Sequence, residues 1–386
     1  MKITILSFST EIVELRNNNI FRFKIAEKYP GALWVHYLKK RCQFDLEFQT
    51  IDVTLQLIKD RKVDPSSVAV CQHNLDKEAE QLIGLGAHPF LLSMFESPLY
   101  CGEFYDLIER NVRKFHHVKI FGANCIQIKN ISQAFFPCFS LKELSNHQQT
   151  LKWDERKFAS MVMGNKYVLT SELSSYRNYQ DKIWWILKYI RQYINGPKLP
   201  KKIQVCNIQL QDARYEIIKA MLSRGALDLY GNGWDKLIRI PPSMAKKIYP
   251  YLLKKRVTSI ENKVETISAY KFNICYENIS YPGYVTEKII EAFLARTIPI
   301  YYGASDIYDF IPSNAFIDAS KFAKVDCLLD HISKIQSNEA SEIIENGQRF
   351  LRSSKGIKFS YENIAEEICI ILGEYLNNKS KCLSLT

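Results

Sequence analysis

Apolar and polar positions along residues 270–303, YKFNICYENISYPGYVTEKIIEAFLARTIPIYYG, spell out one strand, helix, strand unit. Phe272, Ile274 and Tyr276 alternate with Lys271, Asn273 and Cys275, and the run stops at the polar pair Glu277 and Asn278. After Pro282 and Gly283, the apolar residues Val285, Ile289 and Phe293 recur at helical spacing, and Ile298, Ile300 and Tyr302 alternate again up to Gly303. Upstream, Ile3 to Phe8, Phe44 to Val53, Ser67 to Cys71, Phe90 to Phe95 and Val118 to Phe121 read as strands between helical stretches, an α/β layer pattern. Phe158 to Met163 reads as a further strand, and Ile364, Ile368 and Ile371 mark a helix over residues 360–377.

Parallel α/β sheets bind ligands beyond the carboxyl ends of their strands, which puts Glu277, Asn278, Tyr284, Glu287 and Lys288 on one binding edge. Lys288 falls in the first turn of its helix, where a cation opposes the helix dipole at a cost of about 0.3–1 kcal/mol unless something offsets it. A bound diphosphate is one candidate, since the backbone N–H groups of that turn also attract an anion. The other is Glu287, which would neutralise an ordinary solvated lysine. Spacing alone leaves both readings open.

The string ENxxxxGYVTEK, followed by a helix and TIPIYYG, resembles the signature of the glycosyltransferase family 10 enzymes, the α-1,3/4-fucosyltransferases, over about fifty residues through FIPSNAFIDASKF. FLLSMFESP at 90–98 is similar to the tetrapeptide near that family's acceptor site, and ARYEIIKAMLSRGALDLYGNGW at 213–234 is similar to its segment with an arginine a helix ahead of a YGxGW turn. The resemblance implies an α/β protein of GT-B architecture, two Rossmann-like domains facing across a cleft, that transfers L-fucose from GDP-fucose with inversion to a glycan hydroxyl in α-1,3 or α-1,4 linkage. It also implies Glu96 as the base that takes the acceptor proton, a role suited to a carboxylate at a strand end. Without the resemblance, Glu96 would read as a cap on the turn at Pro98. Ser97, Tyr100 and Glu103 are candidates to shape the acceptor pocket.

No GxGxxG run and no DxD triplet occurs, so the phosphates should be held by side chains and a helix end without an essential divalent metal. Lys288 and Arg214 are the cations expected there, with Arg177 the competitor because about forty residues separate the preceding strand from Arg214. Arg214 also fits an ordinary surface arginine on a helix that buries Ile217, Ile218 and Met221. A transferase using another GDP-activated sugar, or a non-catalytic sugar-binding relative, remains an alternative; intact Glu96, Glu287 and Lys288 argue against the latter.

With 386 residues and 47% hydrophobic content the chain can bury two cores. The charged segment KWDERK at 152–157 is the expected linker, giving an acceptor-binding domain over 1–155, a donor-binding domain over 156–350 and a helical segment over 351–386. Ten cysteines without a CxxC pair suggest reduced thiols, and seven histidines, His73, His116 and His117 among them, show no metal-ligand spacing and read as ordinary surface or core residues. The amino terminus reads as a first strand and not a secretory signal, and a glycan on the sequon at Asn278 would obstruct the donor site, both pointing to a cytoplasmic enzyme.

The net charge of +11 concentrates at 236–260, where Lys236, Arg239, Lys246, Lys247, Lys254, Lys255 and Arg256 meet no acidic residue. Over 183–194, Ile183, Ile186, Leu187, Ile190 and Ile194 form one helical face flanked by Trp184 and Trp185. The two stretches suit peripheral docking on the anionic inner face of the plasma membrane, close to lipid-linked or lipopolysaccharide acceptors, and equally suit a solvated basic run and a stripe packed on its own domain. Nucleic acid is not expected, because no recognised nucleic-acid module accompanies the charge.

Overall fold

A computed structural model of the chain describes residues 2–10, 12–74, 76–96, 105, 112–125, 128–145, 151–164, 208–231, 234 and 262–383. Packing divides the chain into two units: Met1–Ser145, Pro282–Glu287 and Ser354–Thr386 form the first, and Asn146–Tyr281 with Lys288–Ser353 the second. The line therefore falls ahead of the KWDERK segment, and the carboxyl-terminal stretch returns to the first unit.

The first unit holds β1 (Ile5–Phe8), β2 (Glu47–Thr50), β3 (Val68–His73), β4 (His88–Ser93), β5 (His117–Ile120) and β6 (Ile131–Gln133) in one parallel sheet ordered β2-β1-β3-β4-β5-β6. Its central strands are short and almost wholly buried, as strands covered on both faces must be. The strand expected over Phe44 to Val53 is a correction: it ends at Thr50, and Ile51–Lys59 is a helix that buries Ile51, Thr54 and Leu55 at helical spacing. The helix Tyr361–Leu383 packs on this unit, with Tyr361 stacked on Tyr37 at 5.6 Å and Tyr375 against Phe90 at 5.0 Å. Buried Lys119 of β5 anchors it further through a 2.6 Å ion pair with Glu367.

The second unit holds β7 (Lys157–Val162), β8 (Ile208–Gln209), β9 (Leu227–Tyr230), β10 (Tyr270–Tyr276), β11 (Ile279–Ser280), β12 (Ile298–Tyr302) and β13 (Ile317–Asp318). Five of these form a parallel sheet ordered β13-β12-β10-β7-β9, and β11 pairs antiparallel with β8. The segment expected as a linker is instead part of this core: Trp153 is buried edge-to-face on Phe272, and buried Arg156 donates to the Arg296 carbonyl at 2.7 Å. Burial pulls the Arg156 guanidinium down to about 10.

Both sheets have the doubly wound order in which the third strand lies on the far side of the first from the second. Chain direction across the sheet reverses between β1 and β3 in one unit and between β7 and β10 in the other, and crevices for ligands form at the carboxyl ends of such pairs.

Candidate functional site

In the second unit the reversal point gathers three of the expected donor-site side chains. Arg214 sits in the first turn of the helix Gln211–Ser223, whose residues Ile217, Ile218 and Met221 enter the core. It is not a surface arginine: it is 4% exposed, and its Nε and Nη2 donate to the Tyr276 carbonyl at 3.2 and 2.7 Å, at the carboxyl end of β10. The same helix start is tied to the strand by the Leu210 N–H donating to the Asn278 carbonyl at 3.1 Å, and Leu210 in turn accepts from the Arg214 N–H.

Glu277, the next residue after β10, is fully buried and accepts from Lys288 Nζ at 2.8 Å. Lys288 follows Glu287 at the start of the helix Glu287–Leu294. A carboxylate that offsets its unfavourable place in the first turn is thus supplied by Glu277, eleven residues upstream. Space for Glu277 depends on Gly303: a Cβ there would lie 2.6 Å from the Glu277 Cγ and 2.3 Å from the Tyr301 hydroxyl. Burial, followed by the charge of Glu277, raises that hydroxyl well above an ordinary phenol, and it accepts from the Ala304 N–H at 2.9 Å.

The YGNGW turn fixes the neighbouring strand end. Gly231 has φ +121°, and a Cβ on it would stand 2.2 Å from the Met163 carbonyl oxygen, so only glycine fits. Trp234, 1% exposed, donates its indole N–H to that same oxygen at 2.8 Å.

Tyr284 belongs by packing to the first unit, where its ring meets Phe121 edge-to-face at 4.9 Å and Gln133 donates to the Gly283 carbonyl at 2.9 Å. Glu287 opens its helix half-buried, with the sign that favours the helix amino end. Arg177, Ser97, Tyr100, Glu103 and the stretches 183–194 and 236–260 lie outside the described residues.

In the first unit a cavity of about 330 Å³ opens at the carboxyl ends of β1, β3 and β4, and Glu96, half-buried just beyond β4, lines it. The backbone carbonyl of Glu96 accepts from the Tyr105 hydroxyl at 3.1 Å. His73, read from the sequence as an ordinary surface or core histidine, lines the same cavity at the end of β3. The available signal was positional: Ser9, His73 and Ser93 are polar residues closing apolar strand runs.

Two parallel α/β units of doubly wound order, with a carboxylate near one switch point and a buried arginine and a half-buried lysine at the other, define the class: this is the GT-B glycosyltransferase fold. Solved structures agree in fold over nearly the whole chain. An alpha1,3-fucosyltransferase solved with GDP superposes at TM-score 0.52 and 16% identity, covering 97% of this chain and 91% of that one. A glycosyltransferase from Rickettsia africae superposes at TM-score 0.54 and 11% identity, covering 98% and 99%.

Residues 200–343 match the model of the glycosyltransferase family 10 (fucosyltransferase) C-terminal domain. The Helicobacter pylori alpha-(1,3)-fucosyltransferase FucT is 33% identical over 107 residues, 28% of this chain and 22% of that protein. The Arabidopsis thaliana alpha-(1,4)-fucosyltransferase is 39% identical over 69 residues, 18% of this chain and 17% of that protein. The matches thus span about a fifth of these relatives' own length.

Proposed function

We propose that this chain is an inverting transferase that moves L-fucose from GDP-fucose to a hydroxyl of a glycan. The observation that carries the reading is the placement of Arg214 and the Glu277–Lys288 pair at the carboxyl end of β10, inside the segment matching the fucosyltransferase family. Solved alpha1,3-fucosyltransferases of this fold hold GDP and GDP-fucose, which supports the same donor here.

In the proposed reaction the Glu96 carboxylate takes the proton of the acceptor hydroxyl as its oxygen bonds to the anomeric carbon. The bond from that carbon to the diphosphate oxygen breaks on the opposite face, and GDP departs with the electron pair. Arg214 and Lys288 supply positive charge for the leaving diphosphate, and Asn278, Tyr284 and Glu287 complete the donor side.

The acceptor in this reading is a surface polysaccharide, a lipopolysaccharide or a lipid-linked precursor, and the enzyme is cytoplasmic and docked on the inner face of the plasma membrane. The basic run at 236–260 and the stripe at 183–194 support that placement. Among the described residues no helix is long and apolar enough to cross a membrane.

Incubation with GDP-fucose, GDP-mannose and related donors over a glycan panel, followed by mass spectrometry and linkage analysis, tests the function. Transfer confined to a donor other than GDP-fucose would replace fucose in this assignment. In the same assay Glu96→Gln should keep GDP-fucose binding while transfer drops about 100-fold or more, the scale of a positioned base. Near-normal turnover would remove Glu96 from the chemistry. Activity should also survive excess EDTA, because side chains neutralise the leaving group; a complete loss that manganese restores would reveal an essential metal.

A further inference from the structure

We propose that the cavity at the carboxyl ends of β1, β3 and β4 seats one pyranose ring of the acceptor, and that His73 selects it by accepting a hydrogen bond from one of its hydroxyls. This rests on the reading of Glu96 as the base, because both residues line the same cavity.

The lining is divided as a sugar ring is divided. Phe8, Trp34, Phe95 and Phe136 present aromatic surface, which suits the C–H face of a pyranose, while Ser9 and His73 bring polar atoms at strand ends. The volume of about 330 Å³ lies in the range of small-molecule sites.

The orientation of His73 is set by its neighbours. Its backbone N–H donates to Ser9 Oγ at 2.6 Å, and its ring lies 5.6 Å from that of Phe95. Its Nδ1 faces Ser93 Oγ at 3.4 Å, and that hydroxyl donates its own proton to the Gln72 carbonyl, also at 3.4 Å. Ser93 Oγ is then an acceptor toward His73, so the ring proton sits on Nδ1 and Nε2 keeps its lone pair. No described residue hydrogen-bonds Nε2. Burial pushes the imidazole down to about 4, so the lone pair persists at neutral pH. A neutral acceptor nitrogen on the wall of a cavity that also contains a candidate base is placed to hold a sugar hydroxyl, an interaction that an apolar wall cannot replace.

The test pairs variants with substrate analogues, using the full chain. The starting probe is a methyl 4-galactosyl-N-acetylglucosaminide, the disaccharide in the name of a mouse relative 32% identical over 80 residues, with methyl β-galactoside and methyl β-N-acetylglucosaminide alongside. Monodeoxy analogues of the best-used probe are compared in the wild-type enzyme, His73→Phe and His73→Gln. One deoxy analogue should raise the acceptor KM of the wild type about 10-fold or more with kcat retained. In His73→Phe the parent sugar should lose the same factor, that analogue should lose nothing further, and the KM for GDP-fucose should stay unchanged. His73→Gln, which keeps an acceptor oxygen, should restore part of the discrimination. Equal losses over the parent and every analogue, or no loss at all, would overturn the role of His73 while leaving the transferase reading intact. Full transfer by Glu96→Gln would instead remove the reading on which the inference rests.

Discussion

Lys288→Met is expected to destabilise the second unit by about 3–5 kcal/mol, because it removes the cation paired with a carboxylate that has no exposed surface. The wild-type pair is close and direct, at 2.8 Å, with the lysine side chain only 15% exposed. Removing the cation leaves Glu277 buried beside the Tyr301 hydroxyl and under Gly303, where water cannot replace the missing partner. Urea unfolding followed by tryptophan fluorescence would measure the loss, since Trp153 and Trp234 lie in this core. Adding Glu277→Gln should recover most of the lost stability, because a neutral amide carries no uncompensated charge into the interior. A single variant as stable as wild type would show that the pair contributes nothing net. The folded double variant separates packing from chemistry: unchanged GDP affinity in it would take Lys288 out of phosphate binding.

The second large effect belongs to Arg214. Arg214→Ala should weaken GDP binding by about 2–5 kcal/mol, the usual consequence of truncating one partner of a desolvated charge pair. The structure sharpens this expectation, since the Arg214 guanidinium is buried at the carboxyl end of β10, where the expected donor-site side chains gather, and Lys288 there is already paired with Glu277. Arg214→Lys should recover only part of the affinity, because an ammonium cannot reproduce the two-pronged donation now given to the Tyr276 carbonyl. Arg177→Ala should bind GDP almost normally. Calorimetric titration of all three variants with GDP decides between the arginines, and loss of binding in Arg177→Ala alone would transfer the phosphate role to it.

The unit β10, helix, β12 was legible because both of its patterns are pure: strict alternation over Phe272 to Tyr276, then apolar residues three and four apart. The stretch IDVTLQL at 51–57 shows how a pure pattern can mislead. Ile51, Val53, Leu55 and Leu57 alternate like a strand, yet the residues buried are Ile51, Thr54 and Leu55, the face of a helix. Burying the threonine hydroxyl is made tolerable by hydrogen bonds to Ser7 Oγ and the Thr50 carbonyl, which no local pattern announces. The candidate site divides in the same way. Lys288 and Glu277 could each be placed on a strand or helix end, but their pairing across eleven residues requires the three-dimensional path of the chain. Nothing local marks His73, because its partners Ser9 and Ser93 come from the ends of two other strands.

The alternation of the chain between its two units has a consequence for how the protein is made. The second unit is complete once residue 353 has been synthesised, whereas the first, although begun earlier, still lacks the helix Tyr361–Leu383. Until that helix emerges, Tyr37 and Phe90 have no cover from Tyr361 and Tyr375, and Lys119 has no Glu367 to neutralise it. The first unit is therefore expected to complete its packing after the second, against the usual amino-to-carboxyl order of domain folding.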